Sequence, residues 1–153
     1  FQAFSNLIMD KYMRPISRML FPEVMGFDSQ TFGFSIQYQE GMDTSLRPHT
    51  DASAATMNIN VPGETFKGSE VDFFNQETGK VTRTVFAPGV AMLHIGSVPH
   101  AAQPITGGSR TNMVLWLYGD SMQIPRGALP TSKADAKARW TVPQVAKDSF
   151  APF

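Results

Sequence analysis

Cysteine is absent from the 153 residues. That excludes a disulfide framework and any thiolate metal site, and it leaves His, Asp and Glu as the strong ligands. It does not fix the compartment. Net charge is missing as well, because 13 Lys and Arg balance 13 Asp and Glu. There is therefore no electrostatic case for nucleic acid or an anionic membrane as the main partner. No apolar run approaches the roughly 18 residues that span a bilayer, so no transmembrane segment is expected, and no signal peptide is visible. The chain opens at Phe1 rather than Met, which leads us to expect a processed or excerpted protein. What is present, 42% hydrophobic and 17% charged residues, is ordinary for one globular domain with a single core.

Two patterns follow one another along the chain. Phe4, Leu7, Ile8 and Tyr12 recur at helical spacing between polar residues, which predicts an amphipathic helix disturbed near Pro15, finished before Pro22 and packed on the outside of a sheet. From Gly33 onward, short extended runs over 34–39, 56–61, 71–75, 81–86, 90–95 and 111–118 are separated by Gly41, Pro62-Gly63, Glu77-Thr78-Gly79, Pro88-Gly89 and Gly107-Gly108. Gly107-Gly108 reads as a hairpin turn that aims the next residues inward. The expected fold is mainly β: a double-stranded β-helix, or jelly roll, of the cupin-like kind, with an N-terminal packing helix and a C-terminal extension. The domain is expected over 1–119. Residues 120–153, rich in proline, would form an extension folded back on it or docked on another subunit, with a short helix over 132–139 and Trp140 as its anchor.

Against this frame stands His49-Thr50-Asp51, followed by His100 and, ten residues on, Arg110. Ligands at i and i+2 of a strand leave the same face, and one distant His completes a facial set of three. Two imidazoles and a carboxylate suit non-haem Fe(II), because they leave positions for substrate and O₂. Arg110 adds a rigid fork for a carboxylate, such as that of a dicarboxylate co-substrate. His94 lies near His100 but lacks its spacing to Arg110, so it is read as a packed or supporting histidine. Arg47 is read as solvated.

The surrounding residues carry a resemblance. The stretch from Tyr38 through Leu46-Arg47-Pro48-His49-Thr50-Asp51-Ala52-Ser53 to Thr56-Met57-Asn58-Ile59-Asn60-Val61 resembles the catalytic domain of procollagen lysyl hydroxylases. Met92-Leu93-His94-Ile95-Gly96 and the stretch from His100 through Pro104 and Gly108 to Arg110 continue the match. The ending Arg110-Thr111-Asn112-Met113-Val114-Leu115-Trp116-Leu117 is also similar to the 2-oxoglutarate- and iron-dependent oxygenase domain proteins, and both groups are prolyl 4-hydroxylase-like. The likeness covers about 12–118. It implies that His49, Asp51 and His100 hold Fe(II), that Arg110 pairs with the distal carboxylate of 2-oxoglutarate, and that Tyr38 and Asn58 touch the same co-substrate. No further catalytic side chain is implied beyond the metal centre. The implied reaction is hydroxylation of a C–H bond, using O₂ and 2-oxoglutarate with ascorbate as a candidate reductant, on a prolyl or lysyl residue of a protein or peptide.

One departure stands out. The family usually has a paired glycine where this chain has Gly68-Ser69. The Ser is expected to restrict backbone approach or to alter the substrate side of the barrel, leaving the metal ligands untouched. Two alternatives remain at this level: a catalytically silent subunit or binding module of the same fold, and a Zn²⁺ or Mn²⁺ site in a cupin-like hydrolase or isomerase.

Overall fold

The computed structural model describes residues 2–24, 31–42 and 44–118. The expected extension over 120–153 and the boundary at Gly119 lie outside the described residues. Within them the chain makes α1 (Gln2–Ile8), a π-helical turn (Met9–Met13) and α2 (Arg14–Leu20). Nine strands follow: β1 (Thr31–Gln39), β2 (Leu46–His49), β3 (Ala55–Asn60), β4 (Phe66–Gly68), β5 (Val71–Phe74), β6 (Val81–Thr84), β7 (Ala91–Ile95), β8 (His100–Ala102) and β9 (Ile105–Leu117). One sheet has the order β1-β9-β3-β7, with β4 added against β9, and the other has the order β2-β8-β5-β6. All described pairings are antiparallel. This is the jelly roll expected from the sequence, in which partners distant along the chain become neighbours.

The helix ends before Pro22 as expected and is disturbed where Pro15 predicts, because Pro15 offers no N–H to the turn before it. The Arg14 N–H bonds to the carbonyl of Met9, and the extra residue per turn is absorbed there. That turn also corrects the expected apolar face. Phe4, Leu7 and Tyr12 are exposed and Ile8 packs partly buried against the core, while Ser5, Met9, Met13 and Ser17 are buried. With the widened turn, residues four apart stay in line, so the buried stripe follows that spacing. The small Ser5 and Ser17 let the helix sit close, and Met9 and Met13 pack on Ala55, Met57, Met113, Leu115 and Leu117 of β3 and β9.

The strands alternate. Met113, Leu115 and Leu117 face the helix, so Arg110, Asn112, Val114 and Trp116 face the opposite sheet. In β3 the apolar Ala55, Met57 and Ile59 likewise take the helix side, and Thr56, Asn58 and Asn60 turn into the barrel. All six sequence-predicted strands are present, although β1 starts earlier, at Thr31, and β9 much earlier, at Ile105. Gly107-Gly108 is not a hairpin turn but lies within β9, where Gly108 has a φ of 77° and pairs with Phe66 of β4. A Cβ at Gly108 would strike the Thr65 carbonyl, so glycine is what lets β4 approach.

At the departure noted above, Ser69 keeps the left-handed conformation natural to glycine, with a φ of 62°. Its N–H bonds to the Pro104 carbonyl at 3.1 Å. The residue is fully buried, and its hydroxyl has no hydrogen-bond partner. A non-glycine residue at this φ costs about 1–2 kcal/mol, and the unmet hydroxyl adds to that. Ser69→Gly is therefore expected to raise stability by about 1 kcal/mol, after subtracting the entropy glycine adds to the unfolded chain. Urea unfolding of the two proteins measures it, and a midpoint that stays the same or falls would show that the turn holds no strain.

Candidate active site

His49 closes β2 and His100 opens β8, and the two are register partners across the sheet. Their rings lie 4.3 Å apart, centroid to centroid. Asp51 sits just beyond the end of β2, not on it, so the strand argument for H-x-D places His49 but not Asp51. The loop is held instead by the Asp51 N–H bonding to the Gly96 carbonyl at 2.9 Å and the Gly96 N–H bonding to the Ala54 carbonyl at 3.2 Å. A Cβ at Gly96 would overlap the Ser53 carbonyl, so a glycine is what allows the two loops to touch.

His49 Nε2 lies 3.5 Å from Asp51 Oδ1, and His100 Nε2 lies 3.8 Å from Asp51 Oδ2. The ligating atoms of His49, Asp51 and His100 are all within 4.8 Å of one another, which one ion can span. His94 joins them from β7. Its Nε2 is also 3.8 Å from Asp51 Oδ2, and its ring packs edge-on against His100 at 4.6 Å and Phe73 at 5.3 Å. His94 is thus packed beside the triplet, as its sequence context suggested. Each imidazole has its Nδ1 on a backbone carbonyl: Arg47 at 2.8 Å for His49, Ile95 at 3.0 Å for His94 and Val98 at 3.0 Å for His100. A carbonyl only accepts, so Nδ1 carries a proton, and Nε2 is the ring atom turned toward Asp51. Arg47 itself is exposed.

Burial depresses His94, with the Asp51 charge opposing it, and the same balance holds His100 down at about 4. Burial would lift Asp51, but the His49 contact, the other two imidazoles and Thr56 outweigh it and hold the carboxyl below its ordinary range. A carboxylate ringed by imidazole Nε2 atoms is a donor set for a cation.

Arg110, Tyr38 and Asn58 line the same cavity as the three donors, with Ile36, Leu46, Val71 and Val114 as its apolar walls. Arg110 is 1% exposed, and its Nη1 donates to the Ser69 carbonyl at 2.6 Å. The rings of Tyr38, Phe86 and Phe66 stand 4.7, 5.3 and 5.6 Å from its guanidinium carbon. Burial pulls its pKa down, opposed by Tyr38 and Glu70. Its Nε and Nη2 are buried without a hydrogen-bond partner, and so is Asn58 Oδ1. A buried cation with two unmet donors is costly until an anion arrives, and these atoms fit a carboxylate. The Ser69 turn therefore bears on the Arg110 end of the cavity. Sequence reasoning missed Thr56 and Phe73, because an inward Thr or Phe in a short strand carries no distinguishing pattern.

The histidines set a pH dependence. The unfolded chain protonates near 6.5, but folded His100 resists until about 4, so between these values the unfolded state binds more protons and stability falls as pH falls. His100 alone accounts for about 3 kcal/mol across that window, fully regained above pH 6.5, and His94 acts in the same direction. Urea unfolding of metal-free protein from pH 7 to pH 4 is expected to show the loss, and His100→Gln is expected to flatten it. A flat wild-type profile would contradict a neutral His100.

No family model matches the chain. In sequence it is 31% identical over 127 residues to the 2-oxoglutarate and iron-dependent oxygenase domain-containing protein ICU11 of Arabidopsis thaliana, across 76% of this chain and 32% of that protein. It is 32% identical over 112 residues to the multifunctional procollagen lysine hydroxylase and glycosyltransferase LH3 of Rattus norvegicus, across 67% of this chain and 14% of that one. The chain thus spans about a third of the length of its oxygenase-domain relatives. In structure it matches a prolyl 4-hydroxylase of Phytophthora capsici with a TM-score of 0.62 at 16% identity, over 87% of this chain and 48% of that one. In fold, the chain is a jelly roll of the 2-oxoglutarate- and iron-dependent oxygenase kind, and its sequence relatives are oxygenase-domain proteins of that group.

Proposed function

We propose that this chain is the dioxygenase domain of an Fe(II)- and 2-oxoglutarate-dependent hydroxylase acting on a prolyl or lysyl side chain of a protein or peptide. The observation that carries the proposal is the convergence, in one cavity, of the His49, Asp51 and His100 donors with the two unmet N–H groups of Arg110. His49, Asp51 and His100 would hold the iron. Arg110 would take the distal carboxylate of 2-oxoglutarate, with Tyr38 and Asn58 beside it. Bound together, iron, 2-oxoglutarate and O₂ supply oxidative decarboxylation coupled to hydroxylation of a C–H bond.

The chain's own residues contribute binding and order. Arg110 has one N–H committed to Ser69 and its face enclosed by aromatic rings, so its remaining edge is held ready and loses little entropy on binding a carboxylate. The carbonyls on each Nδ1 fix the ring orientation, so Nε2 is the atom offered to a cation. Ile36, Leu46, Val71 and Val114 keep the cavity between the two charged ends apolar. The choice of a prolyl or lysyl acceptor rests on relatives such as the procollagen lysine hydroxylase. Ascorbate as an accessory reductant rests on the resemblance alone.

Two sets of variants test the assignment. His49→Ala, Asp51→Ala and His100→Ala are each expected to abolish tight Fe(II) binding, while His94→Ala leaves the metal stoichiometry nearly unchanged, as read by metal analysis of protein prepared without oxygen. Iron retained by His100→Ala but lost by His94→Ala would reverse the ligand assignment. Arg110→Lys keeps the charge but loses the fork. Anaerobic titration of the Fe(II) protein with 2-oxoglutarate, followed by the visible band of the chelate, is expected to weaken by roughly 1.5–3 kcal/mol with iron content unchanged. Equal affinity in both proteins, or no band and no succinate release from the wild type, would favour a silent subunit or a Zn²⁺ or Mn²⁺ site.

A further inference from the structure

Of the two carboxylate oxygens of Asp51, Oδ2 accepts a hydroxyl hydrogen bond from Thr56. Thr56 Oγ1 lies 2.6 Å from Asp51 Oδ2, and Ser53 Oγ lies 2.8 Å from Thr56 Oγ1. The direction of the protons in this chain is fixed. A carboxylate oxygen without a proton only accepts, so Thr56 Oγ1 is the donor to Asp51 Oδ2. Thr56 must therefore spend its single proton on Asp51, and Ser53 must donate to Thr56. Asp51 Oδ1 takes no hydroxyl and faces His49 Nε2 at 3.5 Å, while Oδ2 also stands 3.8 Å from the Nε2 atoms of His94 and His100.

Thr56 is placed to do this rigidly. It is 1% exposed in β3, with His94 and Trp116 as its register partners on either side, and a β-branched side chain has few rotamers open to it. Ser53 is held in turn by the close approach of the Gly96 turn. The anchor of the Asp51 carboxylate therefore comes from the far sheet, while His49 and His100 come from the near one.

We propose that Thr56, backed by Ser53, is a positioning residue that confines Asp51 to ligation through Oδ1 alone, and so keeps a coordination position free for the co-substrate. The proposal rests on the function proposed above. A carboxylate free to swing would offer both oxygens to a cation and occupy two positions. The cation would then bind as well or better, while a chelating co-substrate would have to displace the second oxygen. This split separates positioning from structural damage, which weakens both.

The test compares Thr56→Val, which keeps the shape and removes the proton, with Thr56→Ser, which restores it. Each is titrated anaerobically with Fe(II) and then with 2-oxoglutarate, and each is loaded with Co(II) for its visible absorption, which reports coordination without turnover. Thr56→Val is expected to hold Fe(II) as tightly as wild type, to bind 2-oxoglutarate about tenfold or more weakly, the size of one charge-assisted hydrogen bond, and to change the Co(II) spectrum. Thr56→Ser is expected to return all three to wild type. Unchanged 2-oxoglutarate affinity in Thr56→Val, or parallel loss of iron and co-substrate that Thr56→Ser does not rescue, overturns the proposal. If the wild type shows no chelate band, the oxygenase function fails on its own, and the Co(II) spectrum still decides: no difference between wild type and Thr56→Val removes the positioning role. Should Thr56→Val not fold, Ser53→Ala is expected to shift the co-substrate affinity in the same direction by less, and no shift overturns the proposal.

Discussion

His49 and His100 face one another because β2 and β8 pair antiparallel with those two residues in register. That single pairing is the constraint on which the remaining site geometry depends. It sets the two imidazoles side by side, brings the turn around Gly96 against the loop of Asp51, and puts Phe73 of β5 opposite His100 from the other side. A slip of one residue would turn the imidazoles to opposite faces of the sheet. Both strands are short, so their register comes from the loops that follow and precede them, and not from long ladders.

The two ends of the cavity are held by different means. At the donor end, imidazoles and a carboxylate are oriented by hydrogen bonds to carbonyls and to Thr56. At the other end, a guanidinium is buried among aromatic faces with only part of its hydrogen bonding met. The first arrangement suits a cation and the second an anion. A ligand spanning both would settle each charge near its complement, in surroundings where unmet charge is most costly.

Much of this was legible from the residues. The long strands alternate over enough positions to be recognised, and the order His49, Asp51, His100, Arg110 survives the shortness of the strands that carry it. Less visible were β2, β4 and β8, which have four residues or fewer and include Pro48 and Gly68. Three residues hold no measurable period. The helix face is hidden from its sequence because Phe4, Leu7 and Tyr12 set the apolar period, whereas the π-turn buries Met9 and Met13. Thr56 was silent because its role depends on the position of Asp51, five residues earlier but across a bent loop. Ser69 was noticed as a departure, but only its contact with Arg110 shows which part of the site it touches.

The division of faces in β3 and β9 has a consequence for how such a domain changes over time. One apolar cluster lies outside the barrel, between the sheet and the helix, whereas the barrel interior carries Thr56, Asn58, Asn60, Arg110 and Asn112 beside its apolar walls. Replacing an inward residue alters what the cavity accepts while sparing that outer layer. Selection can therefore retune the ligand, or abandon it, in small steps that each leave a folded protein. The architecture separates the inheritance of shape from the inheritance of chemistry.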